Sequence, residues 1–158
     1  MSNFNYDSYC GLYCGACDIL MAYKNGYEEK IASYLNVEPS QIKCHGCKTD
    51  TIFANCNNCK IRSCAISKNA EHCIHCDDFP CNNFYETLFS KEHSNKFPHV
   101  KIIPNNLEDI KNIGVEQWLK EQEKKWKCPE CQTDFSWYTP KCTKCGKDLD
   151  KIKDYNNL

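Results

Sequence analysis

The stretch CPECQTDFSWYTPKCTKCG, residues 128–146, decides the fold at the C-terminal end of this chain. It contains two CxxC turns, Cys128–Cys131 and Cys142–Cys145, and each turn presents two thiolates to one ion. Two such turns joined by a short hairpin complete a closed tetrahedral S₄ site, which is typical of a zinc ribbon. Gly146 follows the second turn and suits the left-handed backbone required there. We therefore predict a zinc ribbon over residues 127–150, with zinc ligands at Cys128, Cys131, Cys142 and Cys145.

The other eleven of the fifteen cysteines lie upstream of the ribbon. The N-terminus has no basic start followed by an apolar run, and no segment has the length of a membrane span. We therefore expect a cytoplasmic protein, in which stable disulfides are rare. An odd number of cysteines also excludes complete pairing within one chain. The pattern predicts metal ligands at Cys10, Cys14, Cys17, Cys44, Cys47, Cys56, Cys59, Cys64, Cys73, Cys76 and Cys81.

The first three of these cysteines have the spacing of the radical-SAM iron–sulfur motif, Cx3Cx2C. That chemistry normally requires a partial α/β barrel of about 200 residues, and no alternation of strands and helices follows the motif. The alternative is a closed zinc site in which Cys14 and Cys17 join Cys44 and Cys47. Cys10 would then be a spare or substitute ligand.

An internal repeat follows, because Cys56-x2-Cys59-x4-Cys64 recurs 17 residues later as Cys73-x2-Cys76-x4-Cys81. Six thiolates can share two zinc ions, as in fungal Zn₂Cys₆ DNA-binding modules, but the gap of four and the missing basic helix argue against that class. Either the two CxxC turns pair, or each triplet recruits a fourth ligand. A histidine beside such a turn is more often solvent-facing than ligating, although any of three would supply a twelfth ligand: His45, His72 and His75. His93 and His99, in the cysteine-free region, are expected at the surface.

Charge favours a protein partner over a nucleic acid. The formal charge is −1, and three tetrathiolate zinc sites would take it to about −7. A locally basic ribbon, with Lys141, Lys144 and Lys147, leaves RNA or DNA as a minority alternative. No Ser-His-Asp order, glycine-rich phosphate loop or HExxH motif is found, so catalysis is not favoured. We predict two to four zinc ions per chain, with an iron–sulfur enzyme or electron carrier as the rival interpretation.

Periodicity predicts a mainly α fold with small β-hairpins at the metal sites. Apolar spacing indicates a helix over 27–36 and a shorter one starting near Gly15. Asp77 and Asp78, followed by Pro80, resemble a helix start and predict a helix to about Phe89. A loop from His93 to Pro98 precedes helices over 106–113 and 115–126. The predicted organisation is a cysteine-rich domain, a helical connector, the ribbon and a polar tail, over residues 1–90, 91–126, 127–150 and 151–158.

The cysteine framework as a whole resembles a known family. CGLYCGACDIL (10–20), IKCHGC (42–47) and CNNCKIRSCAISKNAEHCIHCDDFPC (56–81) are similar to a prokaryotic cysteine-rich family catalogued as domain of unknown function 3795. The resemblance covers about residues 9–90. NLEDIKNIGVEQWLKEQEKKWKCPEC (106–131) resembles an extension that some members carry before a zinc ribbon. The resemblance implies metal binding and no particular activity or substrate.

Overall fold

A computed structural model gives the fold of residues 3–149 and of Tyr155. The described residues form eight α-helices, linked by 3-10 turns and by the cysteine-containing loops. The mainly α prediction is confirmed. In chain order the helices are α1 (Asp18–Asn25), α2 (Glu28–Leu35), α3 (Ala54–Asn57), α4 (Lys60–Ser67), α5 (Asn82–Leu88), α6 (Lys91–Lys96), α7 (Ile103–Ile113) and α8 (Val115–Lys125).

The predicted hairpins have little regular strand structure. Over residues 3–149, isolated antiparallel bridges pair Lys127 with Asp134 and Lys141 with Asp148. The described part of the chain therefore lacks the α/β barrel on which a radical-SAM interpretation depends. Within the same residues, no helix has both the length and the apolar character needed to cross a bilayer.

The first two helices lie where periodicity places them, and both end in left-handed residues. Gly26 (φ 75°) closes α1 with its N–H on the Ala22 carbonyl at 2.9 Å. Asn36 (φ 56°) closes α2, and Asn tolerates this conformation better than most residues. A left-handed residue at this position satisfies carbonyls that the helix itself leaves unpaired.

Helix α5 starts later than predicted. The prediction took Asp77 and Asp78 as its first turn, but the N–H of Phe79 donates to the carbonyl of Cys76 at 3.0 Å. This turn extends the cysteine loop, and Cys81 is still extended at the position before the helix. Asp78 instead forms an ion pair with Lys68, which lowers the pKa of the carboxyl group.

The loop predicted from His93 to Pro98 is wrong, because α6 occupies Lys91–Lys96. Ser90 starts this helix, since its hydroxyl accepts the N–H of His93 at 3.3 Å. Helices α3 and α4, inside the 17-residue repeat, were not predicted. Helix α4 buries only Ile61 and Ala65, so its apolar periodicity is weak.

The larger of two apolar clusters among the described residues joins the first cysteine loop, the later helices and the C-terminal region. Trp118 of α8 is fully buried and meets the ring of Tyr13 edge-on, with centroids 6.3 Å apart. The N–H of Trp137 donates to the carbonyl of Ala16 at 3.0 Å, which ties the C-terminal end to the first cysteine loop. These contacts join residues of different predicted domains, and the domain boundaries stay a prediction. The predicted tail lies outside the described residues, except that Tyr155 is buried and donates its hydroxyl to the Trp137 carbonyl at 3.1 Å.

The expectation that His99 is a surface residue is wrong. Its side chain is buried and stacks on Trp137, with centroids 3.9 Å apart and planes 9° from parallel. Its Nδ1 shares a hydrogen bond with the Tyr138 hydroxyl. Burial, followed by the charge of His93, lowers the pKa of His99 to about 3. The imidazole is therefore neutral in the folded protein.

Because His99 is buried and neutral, the free energy of unfolding decreases as the pH falls. Between about pH 6.5 and pH 3 the unfolded chain takes up a proton that folded His99 does not, so acid favours unfolding. We expect this residue to contribute a loss of up to about 1.4 kcal/mol per pH unit in that window. Urea unfolding at pH 7 and pH 5 should show a smaller acid effect in His99→Phe than in the wild type. Equal acid effects in the two proteins would contradict a neutral, buried His99. Metal released by acid would destabilise both proteins alike, so it does not affect the comparison.

Candidate metal sites

The C-terminal four-cysteine module, defined as residues 127–149, is built from two turns of the same geometry. In the first, the N–H of Cys128 donates to the Thr133 carbonyl (2.9 Å) and Gln132 closes the turn on the Cys128 carbonyl (2.9 Å). In the second, Cys142 and Gly146 make the equivalent bonds at 2.8 and 2.9 Å. Gly146 has φ 73°, as its position predicts, and Gln132 adopts φ 60° at the equivalent place.

These turns bring four sulfurs together. The Sγ atoms of Cys128, Cys131, Cys142 and Cys145 all lie within 4.8 Å of one another. Cys131 and Cys142 have their sulfurs 3.4 Å apart, and Cys128 and Cys145 have theirs 3.5 Å apart. The predicted grouping of these four cysteines is thus present, and the group is able to hold one metal ion.

The thiols of this group differ in their pKa values. Hydrogen bonds from the side chain and then the backbone of Thr133 lower the pKa of Cys131 to about 6. The Lys147 N–H lowers the pKa of Cys145, but desolvation and the neighbouring thiols outweigh it and raise that pKa to about 12. Four thiols this close therefore keep part of their protons, and a metal ion would displace them.

Several N-terminal cysteines lie directly at helix starts. Cys17 precedes α1, Cys59 precedes α4 and Cys81 precedes α5, each in an extended conformation. A helix N-terminus carries a partial positive charge, but at Cys17 burial outweighs it and raises the pKa of the thiol to about 12. Three helices, α1, α4 and α5, thus begin at cysteine-containing loops.

Four cysteines line one cavity of about 30 Å³: Cys64, Cys73, Cys76 and Cys81. Its other walls are largely apolar, with Ile61, Phe79 and Phe84 among them. The sequence repeat therefore does not produce two equal sites. The cavity is lined by the last cysteine of the first repeat unit, Cys64, and by all three cysteines of the second.

The other seven N-terminal cysteines influence one another electrostatically. Burial raises the pKa of Cys10 to about 12, and the charges of Cys47 and Cys59 add to this rise. Burial likewise raises the pKa of Cys14, with Cys47 as the next cause. The pKa of Cys56 is raised by burial and then by Cys17 and Cys44. These effects do not divide the seven cysteines into separate groups, because Cys14 is also affected by Cys17, and Cys56 by Cys47 and Cys59.

The N-terminal sulfurs are more widely spaced than those of the four-cysteine module. All eleven belong to the described residues, and no three of them lie within 4.8 Å of one another. The predicted sites built from Cys14, Cys17, Cys44 and Cys47, or from two CxxC turns of the repeat, are not formed as tight groups. Metal ligation by the eleven cysteines stays a prediction.

A second ligand group combines two of the candidate histidines, His72 and His75, with Glu71, which the sequence analysis did not consider. Glu71, His72 and His75 place one potential ligand atom each within 4.8 Å of the others. His75 is exposed, but His72 is fully buried, which contradicts the expectation of a solvent-facing side chain. Its Nε2 contacts Asp7, 65 residues earlier in the chain, at 2.8 Å. No local pattern links Asp7 to His72, so only the fold reveals this contact.

Comparison with known proteins agrees with the cysteine framework. No curated protein and no solved structure matches the chain. Residues 6–86 match the family described as protein of unknown function DUF3795, and this match spans just over half of the chain. It includes all eleven N-terminal cysteines and ends before the four-cysteine module. The chain belongs to the DUF3795 family of proteins of unknown function.

Proposed function

We propose that the chain is a zinc-binding protein whose four-cysteine module is a zinc ribbon, and that it acts by binding another protein. The observation that carries the proposal is the convergence of four sulfurs from two CxxC turns. In a tetrahedral zinc site with Zn–S bonds of about 2.3 Å, the sulfurs lie about 3.8 Å apart. The Cys131–Cys142 and Cys128–Cys145 pairs, at 3.4 and 3.5 Å, are near that separation.

A site of this kind favours a structural role. Four thiolates fill the coordination shell of zinc, so no position is left for substrate or water. Large apolar side chains outside the core provide surface for a partner, as with Tyr34, which is 87% exposed, and Tyr85. The net charge before metal binding is already −1, which supports a protein over a nucleic acid as partner.

Elemental analysis tests the zinc assignment. The full-length chain, purified without oxygen, should contain zinc, and Cys128→Ser/Cys142→Ser should contain one zinc fewer per chain. Thr143→Ala lies in the second turn without supplying a ligand, and it should keep the full zinc content. The same zinc content in the double serine variant and the wild type would overturn the assignment.

A second candidate is favoured by the spacing of the N-terminal sulfurs. An iron–sulfur cluster attaches each cysteine to a different iron, so its thiolates lie further apart than those around a single ion. The cavity lined by Cys64, Cys73, Cys76 and Cys81 has this wider arrangement and apolar walls. On this alternative the N-terminal region is an electron carrier or an iron–sulfur enzyme, and the ribbon is structural in either case.

Iron and sulfide analysis separates the two candidates. If clusters are present, anaerobically purified protein should be brown and contain iron and acid-labile sulfide in similar amounts. Cys73→Ser should then lose part of both while the ribbon zinc stays. Colourless protein with several zinc ions and no sulfide would exclude the cluster alternative, and it would support zinc in the N-terminal region as well.

A further inference from the structure

A charged network is buried between the N-terminal segment and the cysteine loops. Lys48 Nζ donates to Asp7 Oδ2 at 2.6 Å and to the backbone carbonyl of Glu71 at 2.6 Å. His72 Nε2 lies 2.8 Å from Asp7 Oδ1 and 3.0 Å from Oδ2. Burying charged groups is costly, so a network of this kind calls for a structural or chemical reason.

The network occupies one ring nitrogen of His72, Nε2. This nitrogen lies 2.8 Å from Asp7 Oδ1 and 3.3 Å from Lys48 Nζ. Nδ1 is therefore the ring nitrogen that is left for a further partner.

This Nδ1 has no hydrogen-bond partner within the described part of the chain, although the His72 side chain is completely buried. Buried polar atoms are nearly always paired, so an unpaired nitrogen in a fixed ring is an exception that calls for a ligand. Histidines that bind metals commonly place their other ring nitrogen against a carboxylate, and Nε2 of His72 contacts Asp7 in this way.

Two further donors lie next to His72. The ring of His75 meets that of His72 edge-on, with centroids 5.4 Å apart, and Glu71 is adjacent in the chain. One potential ligand atom from each of the three residues lies within 4.8 Å of the other two, with either ring nitrogen counted for a histidine. Around an ion with bonds of about 2.1 Å, ligand atoms are separated by at most about 4.2 Å. Small rotations of the exposed Glu71 and His75 side chains would close the difference.

We propose that Glu71, His75 and His72, through its Nδ1, bind one divalent transition-metal ion in a site separate from the thiolates. Two imidazoles and one carboxylate suit Zn²⁺, Fe²⁺ or Mn²⁺, and three protein ligands leave room for water or a small ligand. Asp7 is a positioning residue that holds the ring of His72, and Lys48 holds both Asp7 and the backbone of Glu71. The site does not depend on the ribbon zinc.

Zinc binding to the full-length protein tests the proposal. Equilibrium dialysis against Zn²⁺ should show one more bound ion per wild-type chain than per Glu71→Gln/His75→Ala chain. Both replaced side chains are exposed, so the variant should fold. The control, Glu86→Gln/His93→Ala, removes one carboxylate and one imidazole outside the proposed site. It should bind as much zinc as the wild type. Equal zinc binding by the wild type and Glu71→Gln/His75→Ala would overturn the proposal.

Two readouts distinguish this site from a thiolate site and from a purely structural network. In Glu71→Gln/His75→Ala, the number of cysteines protected from alkylation by zinc should match the wild type; newly reactive cysteines would contradict a separate site. Asp7→Asn should weaken the affinity of this one ion by about 10- to 100-fold. Glu71→Gln/His75→Ala should keep the zinc bound by the ribbon, so failure of either assignment shows independently of the other.

Discussion

Replacing Cys128 and Cys142 by serine should unfold the four-cysteine module and destabilise the helical part of the protein. A structural zinc contributes on the order of 10 kcal/mol in apparent folding free energy, which is comparable to the whole stability of a small domain. The described module contains only isolated bridges, so its ordered backbone depends strongly on the sulfurs. Cys128 is fully buried and Cys142 is buried, which leaves the two serine hydroxyls in an apolar setting without metal.

The effect should reach beyond the module because its aromatic residues belong to the common core. Phe135 contacts Trp126 with centroids 5.5 Å apart, and Trp137 stacks on His99. Near-ultraviolet circular dichroism and tryptophan fluorescence should therefore change together with the loss of zinc. Chelation of the wild-type protein should give the same result.

The control for this prediction is Thr143→Ala, an exposed neighbour of Cys142 that should leave both spectra unchanged. A zinc-free serine variant with a native near-ultraviolet spectrum and an unchanged urea midpoint would contradict a structural role for the ion. The measurement uses the full chain, since the module shares its core with the helices.

Replacing Trp118 by alanine should cost about 3–5 kcal/mol of folding free energy, the range for truncating a large buried aromatic residue. Trp118 is fully buried and contacts Tyr13, so the change leaves a cavity between α8 and the first cysteine loop. Small domains are stable by only about 5–15 kcal/mol, so this one substitution removes a large share of the total.

Urea unfolding followed by far-ultraviolet circular dichroism measures this loss. Trp118→Phe keeps a ring and removes the indole N–H, which has no partner within the described residues, so it should cost less than the alanine variant. Tyr34→Ala, at a side chain 87% exposed, should change stability by no more than about 0.5 kcal/mol. A loss in Trp118→Ala as small as that of Tyr34→Ala would mean that α8 does not stabilise the N-terminal region.

Sequence reasoning was most successful where the pattern is local. The spacing of Cys128, Cys131, Cys142 and Cys145 defines two turns whose hydrogen bonds close within a few residues, so the group is predictable without the rest of the fold. The same holds for α2 and α8, whose apolar residues repeat with helical spacing. Local signals failed at α5, because the Cys76 turn delays the helix start to Asn82.

The sequence by itself therefore determined that this protein is mainly helical, that its cysteines occur in paired turns, and that four of them form one C-terminal group. Tertiary structure alone decided that His99 and His72 are buried, which of the N-terminal cysteines share a cavity, and that Asp7 meets His72 across 65 residues. The physical reason is the range of the interactions. Turns and helices form through hydrogen bonds between near neighbours. The burial of a side chain and the unpaired Nδ1 of His72 depend instead on segments that only folding brings together.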